Sequence, residues 1–387
     1  MKILFVTDYY PSQEQPQFCI FIQQQAQALL QLGHQVDVIV PTSIHHRKEK
    51  YREELCAGVP VKYCEYFTFF KGIYSRLALH RNVKMFERII DFTQYEAISI
   101  HMFGEYTLRI FTWISKKYKK KLVIHYHGLS VLYDQKLPLY VRLLQRRGDR
   151  VLHRLIGKAD AVVGVSNKVC ERVKVHFPKM PLYTVYNGVN TELFYPTAYT
   201  KNKNITILSV ASLKKIKGNH YLINAVSYLT KEYKDRVIQL IIIGHGPEEK
   251  RLKQQVEYLG LKQVVHFLGY IDYEEVAQIM KVTDIFAMPS YYEALGCAYL
   301  EAMACKVPVI GCYKQGIEEI IIDKENGILV QPHNVRELYE AINFLIQNPE
   351  KAKNIAEQGY ETVSNHYTWT DSARALVEVY SKLIGKS

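Results

Sequence analysis

Short apolar runs alternate with longer segments of helical apolar spacing over nearly the whole chain. This alternation is typical of parallel β-sheets covered by α-helices. The opening run Lys2–Thr7 predicts a buried first strand, and the apolar residues from Thr370 to Ile384 predict a terminal amphipathic helix. Further strands are predicted at Gln35–Val40, Ala97–His101, Lys121–Tyr126, Ala161–Val165, Ile205–Val210, Ile238–Ile243, Val264–Phe267, Ile285–Met288 and Val307–Ile310.

The periodic pattern is lost between residues 188 and 204, where turn-forming residues such as Gly188, Asn190 and Pro196 gather. A chain of 387 residues is also longer than one hydrophobic core usually supports. We therefore expect an N-terminal domain over residues 1–190 and a C-terminal domain over residues 205–365. Residues 366–387 are expected to form a helix that packs back toward the N-terminal domain.

Composition restricts the cellular setting. The first apolar run reaches Asp8 too soon for a secretion signal, and no stretch approaches the roughly 18–20 apolar residues that cross a bilayer. The seven cysteines are scattered and form no Cys-x-x-Cys pair, which argues against disulfide and zinc frameworks. These features predict a cytoplasmic protein.

The net charge of +12 lies wholly in the first half, since residues 1–195 hold 28 basic and 16 acidic residues and residues 196–387 hold 22 of each. Such asymmetry predicts an anionic partner: nucleic acid, lipid headgroups or a phosphorylated acceptor. Residues 136–158 interleave apolar residues with basic ones that include Arg142, Arg146, Arg147 and Arg150. Either a helix lying on anionic lipid or a helix packed on the sheet fits this pattern. Nucleic acid is disfavoured because no binding module is recognisable.

The strongest local signal lies between Pro289 and Pro308. A predicted strand stops at Pro289, a polar loop carries Glu293, and a helix opens near Gly296. The free N–H groups and dipole at such a strand-loop-helix junction favour a phosphate. Glu293 can then accept hydrogen bonds from sugar hydroxyls. Glu301 stands in a nearly apolar helix, where a carboxylate is costly unless it is paired, and it can accept hydrogen bonds from a ribose.

The two glutamates, separated by seven residues and followed by Ala302-Met303-Ala304 and a Pro-Val strand, resemble the retaining GT-B glycosyltransferases of the family 4 type. The resemblance covers essentially the whole chain and is nearest to enzymes of teichuronic-acid or capsular polysaccharide assembly. It implies an α/β GT-B fold, in which two Rossmann-like domains face a central cleft. The N-terminal domain would bind the acceptor and the C-terminal domain the nucleotide sugar. Supporting pieces are Gly33-His34-Gln35-Val36, Val165-Ser166-Asn167, Tyr186-Asn187-Gly188-Val189-Asn190, Gly244-His245-Gly246-Pro247 and Asn326-Gly327.

The resemblance assigns roles in the C-terminal domain. Glu293 would contact the donor sugar, Glu301 the ribose, and the amides of Leu295, Gly296 and Cys297 the diphosphate. Lys217 would neutralise the leaving diphosphate, so that no metal and no cofactor are required. Many relatives carry an arginine five positions before this lysine, where this chain has Ser212, so Lys214 or Lys215 is an alternative source of charge.

In the N-terminal domain, His127 matches the active-site histidine of the family at the exit of a predicted strand. The family often has aspartate where this chain has Ser130. Cys19 occupies the usual glycine place of the acceptor loop, and we expect a packing residue there rather than a nucleophile.

Together these features predict transfer of a sugar, with retention, from a UDP-sugar to a saccharide or lipid-linked acceptor in bacterial surface polysaccharide synthesis. The expected partners are the donor, the acceptor and an anionic membrane surface reached through the basic N-terminal lobe, at the inner face of the cell membrane. Two alternatives stay open: a catalytically silent membrane-associated scaffold, and a nucleotide-sugar epimerase or phosphorylase of the same fold.

Overall fold

A computed structural model describes residues 1–11, 19–44, 51–68, 76–128, 150–197 and 204–385. The chain divides into two compact units, of which the first holds residues 1–186 and 372–387 and the second holds residues 187–371. The division at Asn187 precedes the turn-rich stretch 188–204, and the terminal helix passes from the second unit to the first near Ser372.

The first unit contains a sheet in the spatial order β3-β4-β2-β1-β5-β6-β7-β8. Its pairs are parallel, apart from the antiparallel hairpin of β3 and β4. Its strands are β1 (Lys2–Thr7), β2 (Gln35–Ile44), β3 (Tyr51–Cys56), β4 (Val59–Phe67), β5 (Ala97–His101), β6 (Lys121–Tyr126), β7 (Ala161–Gly164) and β8 (Leu182–Thr184). Its helices are α1 (Ile20–Gln31), α2 (Arg76–Ile89), α3 (Glu105–Tyr118), the helical residues 150–156 and α4 (Asn167–His176).

The second unit contains a parallel sheet in the order β11-β10-β9-β12-β13-β14. Its strands are β9 (Ile205–Val210), β10 (Ile238–Ile243), β11 (Val265–Gly269), β12 (Ile285–Ala287), β13 (Val309–Cys312) and β14 (Ile328–Val330). Its helices are α5 (Asn219–Glu232), α6 (Glu249–Tyr258), α7 (Tyr273–Lys281), α8 (Cys297–Ala304), α9 (Val335–Gln347) and α10 (Pro349–His366), and α11 (Trp369–Ile384) follows.

Each sheet has a topological switch point. In the second unit the chain runs outward from β9 through β10 to β11, and then resumes on the other side of β9 with β12. The first sheet reverses in the same way between β1 and β5. In open α/β sheets, ligands bind outside the carboxyl ends of the strands at such reversals. Two places, after β9 and β12 and after β1 and β5, are therefore the candidate ligand sites.

Every predicted strand corresponds to an observed one, and four observed strands, β3, β4, β8 and β14, were not predicted. Residues of β3 such as Arg52, Glu53 and Glu54 are exposed, so this edge strand carries no apolar run. β8 and β14 are three residues long, too short for a periodic signal. The terminal helix predicted from residue 370 begins at Trp369.

The end of the chain is part of the first unit's core. Tyr380 on α11 is completely buried, and its hydroxyl lies 2.7 Å from the Oγ of Ser99 on β5. Ser99 in turn lies 2.6 Å from the Nε2 of His125 on β6. A buried polar chain therefore joins the last helix to the centre of the sheet.

Candidate active site

The loops after β9 and β12 are bound to each other at the switch point of the second unit. Gly218 has a left-handed φ of +73°, and a Cβ there would lie 2.1 Å from the carbonyl oxygen of Pro289, so only glycine fits. The amide of Tyr291 donates a hydrogen bond to the carbonyl of Ile216 at 3.0 Å. This close approach brings the ammonium of Lys217 into a short ion pair with the carboxylate of Glu293.

The loop that carries Glu293 is also fixed from the other side. The amide of Glu293 donates to the side-chain oxygen of Gln315 at 3.0 Å, and the amide of Gly316 donates to the carbonyl of Glu293 at 3.2 Å. A Cβ at Gly316 would lie 1.7 Å from the carbonyl oxygen of Ala294. Sequence reasoning missed Gln315 and Gly316, because nothing in the local pattern after β13 indicates which loop they meet.

Leu295, Gly296 and Cys297 lead into helix α8. The first N–H groups of a helix have no partner within it, so this end presents donors and the positive end of the helix dipole. Burial raises the pKa of the Cys297 thiol to about 12, and its sulfur lies 3.3 Å from the side-chain nitrogen of Asn187. The thiol is therefore neutral near pH 7. Among the described residues the buried side-chain oxygen of Asn187 has no hydrogen-bond partner, which leaves an acceptor beside the helix end.

Glu301 lies on the same helix and is buried, with 7% of its surface exposed. The hydroxyl of Tyr273 on α7 donates a hydrogen bond of 2.7 Å to its carboxylate. Desolvation raises the pKa of Glu301 to about 7, although the hydrogen bond from Tyr273 lowers it. Near neutral pH this carboxyl group is therefore divided between its charged and neutral forms. Tyr273 was not identified from the sequence, since an isolated tyrosine at the start of a helix carries no signal.

In the first unit, His127 directly follows β6 and lies beside His101, the last residue of β5. The Nε2 of His127 lies 2.9 Å from the Nδ1 of His101. The rings of His101 and His125 stack at 4.0 Å, and desolvation lowers the pKa of all three imidazoles, that of His127 to about 3. The histidine cluster, defined as His101, His125 and His127, is therefore neutral at physiological pH.

The histidine cluster is also a candidate metal site, because histidine is a common metal ligand and the nitrogen atoms of these three residues lie within 4.8 Å of one another. Its rings are within 15° to 20° of parallel. Nitrogen lone pairs lie in the plane of the imidazole ring. Because the rings of His101 and His125 are stacked, their lone pairs do not converge on one position where a metal ion could be bound. The 2.9 Å contact between His101 and His127 has the length of an N–H···N hydrogen bond, and His125 is bonded to Ser99. The arrangement favours a hydrogen-bonded stack over a metal centre.

The other residues predicted from the sequence are exposed, packed in the interior or outside the described residues. Ser212, Lys214 and Lys215 are exposed, whereas Lys217 is partly buried in its ion pair. Cys19 is buried at a left-handed φ of 58°, and desolvation raises the pKa of its thiol to about 12, which suits a packing residue. Ser130 and the basic residues Arg142, Arg146 and Arg147 lie outside the described residues.

Asp8, at the carboxyl end of β1, was missed by sequence reasoning. Its carboxylate accepts hydrogen bonds from the amide of Gly104 and the hydroxyl of Thr107 at the start of α3. Desolvation raises its pKa to about 6. Asp8 therefore joins the two strands that flank the switch point of the first sheet.

Two family matches cover most of the chain. Residues 20–193 match Glycosyltransferase Family 4, and residues 195–362 match Glycosyl transferases group 1. The chain is a glycosyltransferase built from these two domains. Among curated relatives, the GPI3 subunit of phosphatidylinositol N-acetylglucosaminyltransferase from Saccharomyces cerevisiae is 24% identical, over 98% of this chain and 82% of the relative.

Solved structures establish the fold of the glycosyltransferase. Sucrose-phosphate synthase from Thermosynechococcus elongatus matches with a TM-score of 0.78 and 21% identity over the whole of both chains. HepE from Anabaena, solved with UDP-glucose, matches with a TM-score of 0.73 and 20% identity over 99% of this chain and all of HepE. The predicted α/β GT-B class with two Rossmann-like sheets is confirmed. The roles of the individual site residues stay predictions.

Proposed function

We propose that this glycosyltransferase moves a sugar, with retention, from a UDP-sugar to a saccharide or lipid-linked acceptor in bacterial surface polysaccharide synthesis. The observation that carries the proposal is the Lys217–Glu293 pair at the switch point of the second sheet, which is followed by the open amino end of α8 and the buried Glu301. HepE, a structure of the same fold, was solved with UDP-glucose. The polysaccharide role rests on the likeness of the sequence to capsule and teichuronic-acid enzymes.

In the proposed reaction, the bond between the sugar and the diphosphate breaks and its electron pair leaves with the diphosphate. The acceptor oxygen bonds to the same carbon, and its proton ends on the released nucleoside diphosphate. Lys217 and the amides of Leu295, Gly296 and Cys297 stabilise the charge that develops on the diphosphate. Glu293 accepts hydrogen bonds from the sugar, Glu301 accepts them from the ribose, and the neutral His127 acts through hydrogen bonds.

The direct test is UDP release from UDP-sugars, with and without a lipid-diphosphate saccharide acceptor. A thermal-shift screen selects the donor first, because a ligand at 100 times its Kd stabilises a fold by about 2.7 kcal/mol. Acceptor-dependent UDP release with a new glycosidic product supports the proposal. Donor turnover without acceptor indicates the epimerase alternative, and donor binding with no turnover indicates the silent scaffold.

We expect transfer to survive metal chelation. The sequence contains no Asp-x-Asp, and Lys217 and the end of α8 supply positive charge at the proposed diphosphate site. The initial rate should be the same within about 2-fold in EDTA and in Mg²⁺. A rate that collapses in EDTA and returns with Mg²⁺ or Mn²⁺ contradicts this charge assignment.

We further propose that the basic N-terminal lobe binds the anionic inner face of the membrane. Among the described residues, no helix is both long and apolar enough to cross a membrane. A groove of about 1020 Å³ lies near the amino-terminal ends of strands β6 and β7, beside the partly exposed Trp113. Exposed indole and lysine side chains are common at membrane interfaces. The basic residues that line the groove are Arg109, Lys116, Lys117, Lys119, Lys120, Lys121 and Lys158.

Two sets of substitutions separate the possible membrane contacts. Changing the exposed Lys116, Lys119 and Lys158 to glutamine should weaken binding to phosphatidylserine-containing vesicles by about 3 kcal/mol, since each basic residue near the surface contributes about 1 kcal/mol. Co-sedimentation at low and high salt measures the effect. The control changes three exposed lysines of the second unit: Lys231, Lys234 and Lys353.

The second set changes Arg142, Arg146, Arg147 and Arg150 to glutamine and tests the segment that the sequence singled out. If only these four changes release the protein from vesicles, the contact is that segment and not the groove. If wild type fails to sediment with anionic vesicles at low salt, the membrane proposal is wrong.

A further inference from the structure

The two carboxylate oxygens of Glu301 have different surroundings. Oε1 lies 2.7 Å from the hydroxyl of Tyr273, which is the one hydrogen-bond partner of Glu301 among the described residues. Oε2 has no partner in the described part of the chain and is not sealed from solvent. Each oxygen of an ionised carboxylate has two lone pairs, so Oε2 can accept from two ribose hydroxyls while Oε1 stays bonded to Tyr273.

Tyr273 is fixed before any ligand binds. It is the first residue of α7, which opens with a capping box in which the amide of Asp272 donates to the carboxylate of Glu275 at 3.1 Å. Its ring packs edge-to-face on the completely buried Phe194, with centroids 5.1 Å apart. The hydroxyl therefore meets Glu301 from a preorganised position, and no ordering of this side chain opposes ligand binding.

Tyr273 is also the group that favours the charged form of Glu301. Desolvation raises the pKa of Glu301 to about 7, the bond from Tyr273 lowers it, and no neighbouring charge contributes. The nearby thiols of Cys297 and Cys305 are neutral, because burial raises the pKa of each to about 12. Lys281, at the far end of α7, acts on the Cys305 thiol, and α10 and β13, which also pack against α8, add no charge effect on Glu301.

We propose that Tyr273 is a positioning residue for donor binding: its hydroxyl holds Oε1 and keeps Glu301 charged, so that Oε2 accepts from the ribose. The inference rests on the proposed role of Glu301 in binding the nucleotide. It assigns Tyr273 no contact with the donor. Tyr273 acts through Glu301, because an ionised oxygen accepts stronger hydrogen bonds than a neutral one and a held carboxylate points its open oxygen in one direction.

The test compares UDP-glucose binding by wild type and by Tyr273→Phe, which keeps the ring against Phe194 and removes only the hydroxyl. A hydrogen bond to a charged acceptor changes the proton affinity of that acceptor by about tenfold or more. Glu301 titrates near pH 7 in wild type, so the variant should bind about 8-fold more weakly at pH 6.5 and within about 2-fold of wild type at pH 8.5. Titration calorimetry at the two pH values measures the ratio.

A double variant shows whether the hydroxyl acts through Glu301. In the background of Glu301→Gln, which cannot ionise, adding Tyr273→Phe should change the Kd by less than about 2-fold. If the hydroxyl binds the donor directly or only supports the fold, its loss weakens binding equally in both backgrounds and at both pH values, and the inference is wrong. The exposed Tyr258→Phe is the matched control and should bind as wild type does.

A second measurement does not depend on the donor. In protein labelled with carbon-13 at the glutamate carboxyl carbons, the signal that is absent from Glu301→Gln belongs to Glu301 and reports its ionisation. The midpoint of its titration should move to higher pH in Tyr273→Phe, and an unchanged midpoint overturns the inference. If Glu301→Gln binds UDP-glucose as tightly as wild type, the ribose role of Glu301 is wrong, and the carboxyl titration still decides whether Tyr273 keeps Glu301 charged.

Discussion

Replacing Glu301 by glutamine is expected to stabilise the free protein above neutral pH and to weaken nucleotide binding. Burial raises the pKa of Glu301 from 4.5 to about 7, so the folded state holds this proton more tightly than the unfolded state. Below pH 4.5 the group is neutral in both states and costs nothing. The cost of ionising it in the fold grows between pH 4.5 and 7 and then stays at about 3 kcal/mol. Glutamine avoids this cost.

Unfolding by urea at pH 5 and pH 8 measures the stability effect. The gain from Glu301→Gln should be below about 1 kcal/mol at pH 5 and should rise to about 3 kcal/mol at pH 8. The exposed Glu325→Gln is the charge-matched control and should show no such pH-dependent gain. A gain that is equal at both pH values would show that ionisation of Glu301 is not its cause.

The same substitution should weaken UDP-sugar binding by about 1–3 kcal/mol, the scale for a charged hydrogen-bond acceptor. Only the ionised carboxylate accepts from both ribose hydroxyls, so wild-type affinity should decline as the pH falls through about 7. Titration calorimetry with a UDP-sugar avoids the terminal phosphate of UDP, which itself titrates near neutral pH. Unchanged affinity in Glu301→Gln would show that Glu301 does not bind the ribose.

Lys217→Met is expected to slow transfer by roughly 100-fold to 1000-fold, the loss typical of one group that stabilises transition-state charge. It should also lower the free energy of unfolding by about 1–3 kcal/mol, because the buried carboxylate of Glu293 loses its cation. Steady-state kinetics and urea unfolding measure the two effects. Lys214→Met, on the same loop but exposed, is the control and should stay within about 3-fold of wild type in kcat.

A double substitution separates stability from catalysis. Lys217→Met with Glu293→Gln removes both charges. The double variant should therefore lose less unfolding free energy than the two single variants lose in sum, by about 0.5–3 kcal/mol. Activity should not recover, since the diphosphate site still lacks its cation. If Lys214→Met or Lys215→Met costs as much activity as Lys217→Met, the charge comes from the exposed lysines and the assignment of Lys217 is wrong.

The Lys217–Glu293 pair has a consequence for donor binding. In the free enzyme, the group proposed to bind diphosphate is bonded to the group proposed to bind sugar. A donor bound as proposed would place phosphate oxygens where the ammonium can share its three donors, so part of the ion pair would be exchanged rather than lost. Donor binding should therefore weaken as salt is added, although a partly buried pair is screened less than a surface pair.

The amino-acid sequence by itself determined the alternation of strands and helices, and with it the fold class. Buried parallel strands such as Ile238–Ile243 are mostly apolar, and this requirement can be read from adjacent residues. The placement of Glu293 before α8 and of Glu301 within it also follows from local rules, since a strand end, a loop and a helix start are each written in adjacent residues.

Only the tertiary structure decided which side chains meet. Lys217 and Glu293 are separated by 76 positions, and they are neighbours because β9 and β12 are adjacent at the switch point. The pairing of β5 with β6 likewise brings His101 to His127, and the packing of α7 against α8 brings Tyr273 to Glu301. The pKa values of Glu301 and His127 depend on burial by distant segments, which no local pattern contains. Strand order is a property of the whole chain, because it depends on which apolar surfaces cover one another, and the chemistry of this site follows from that order.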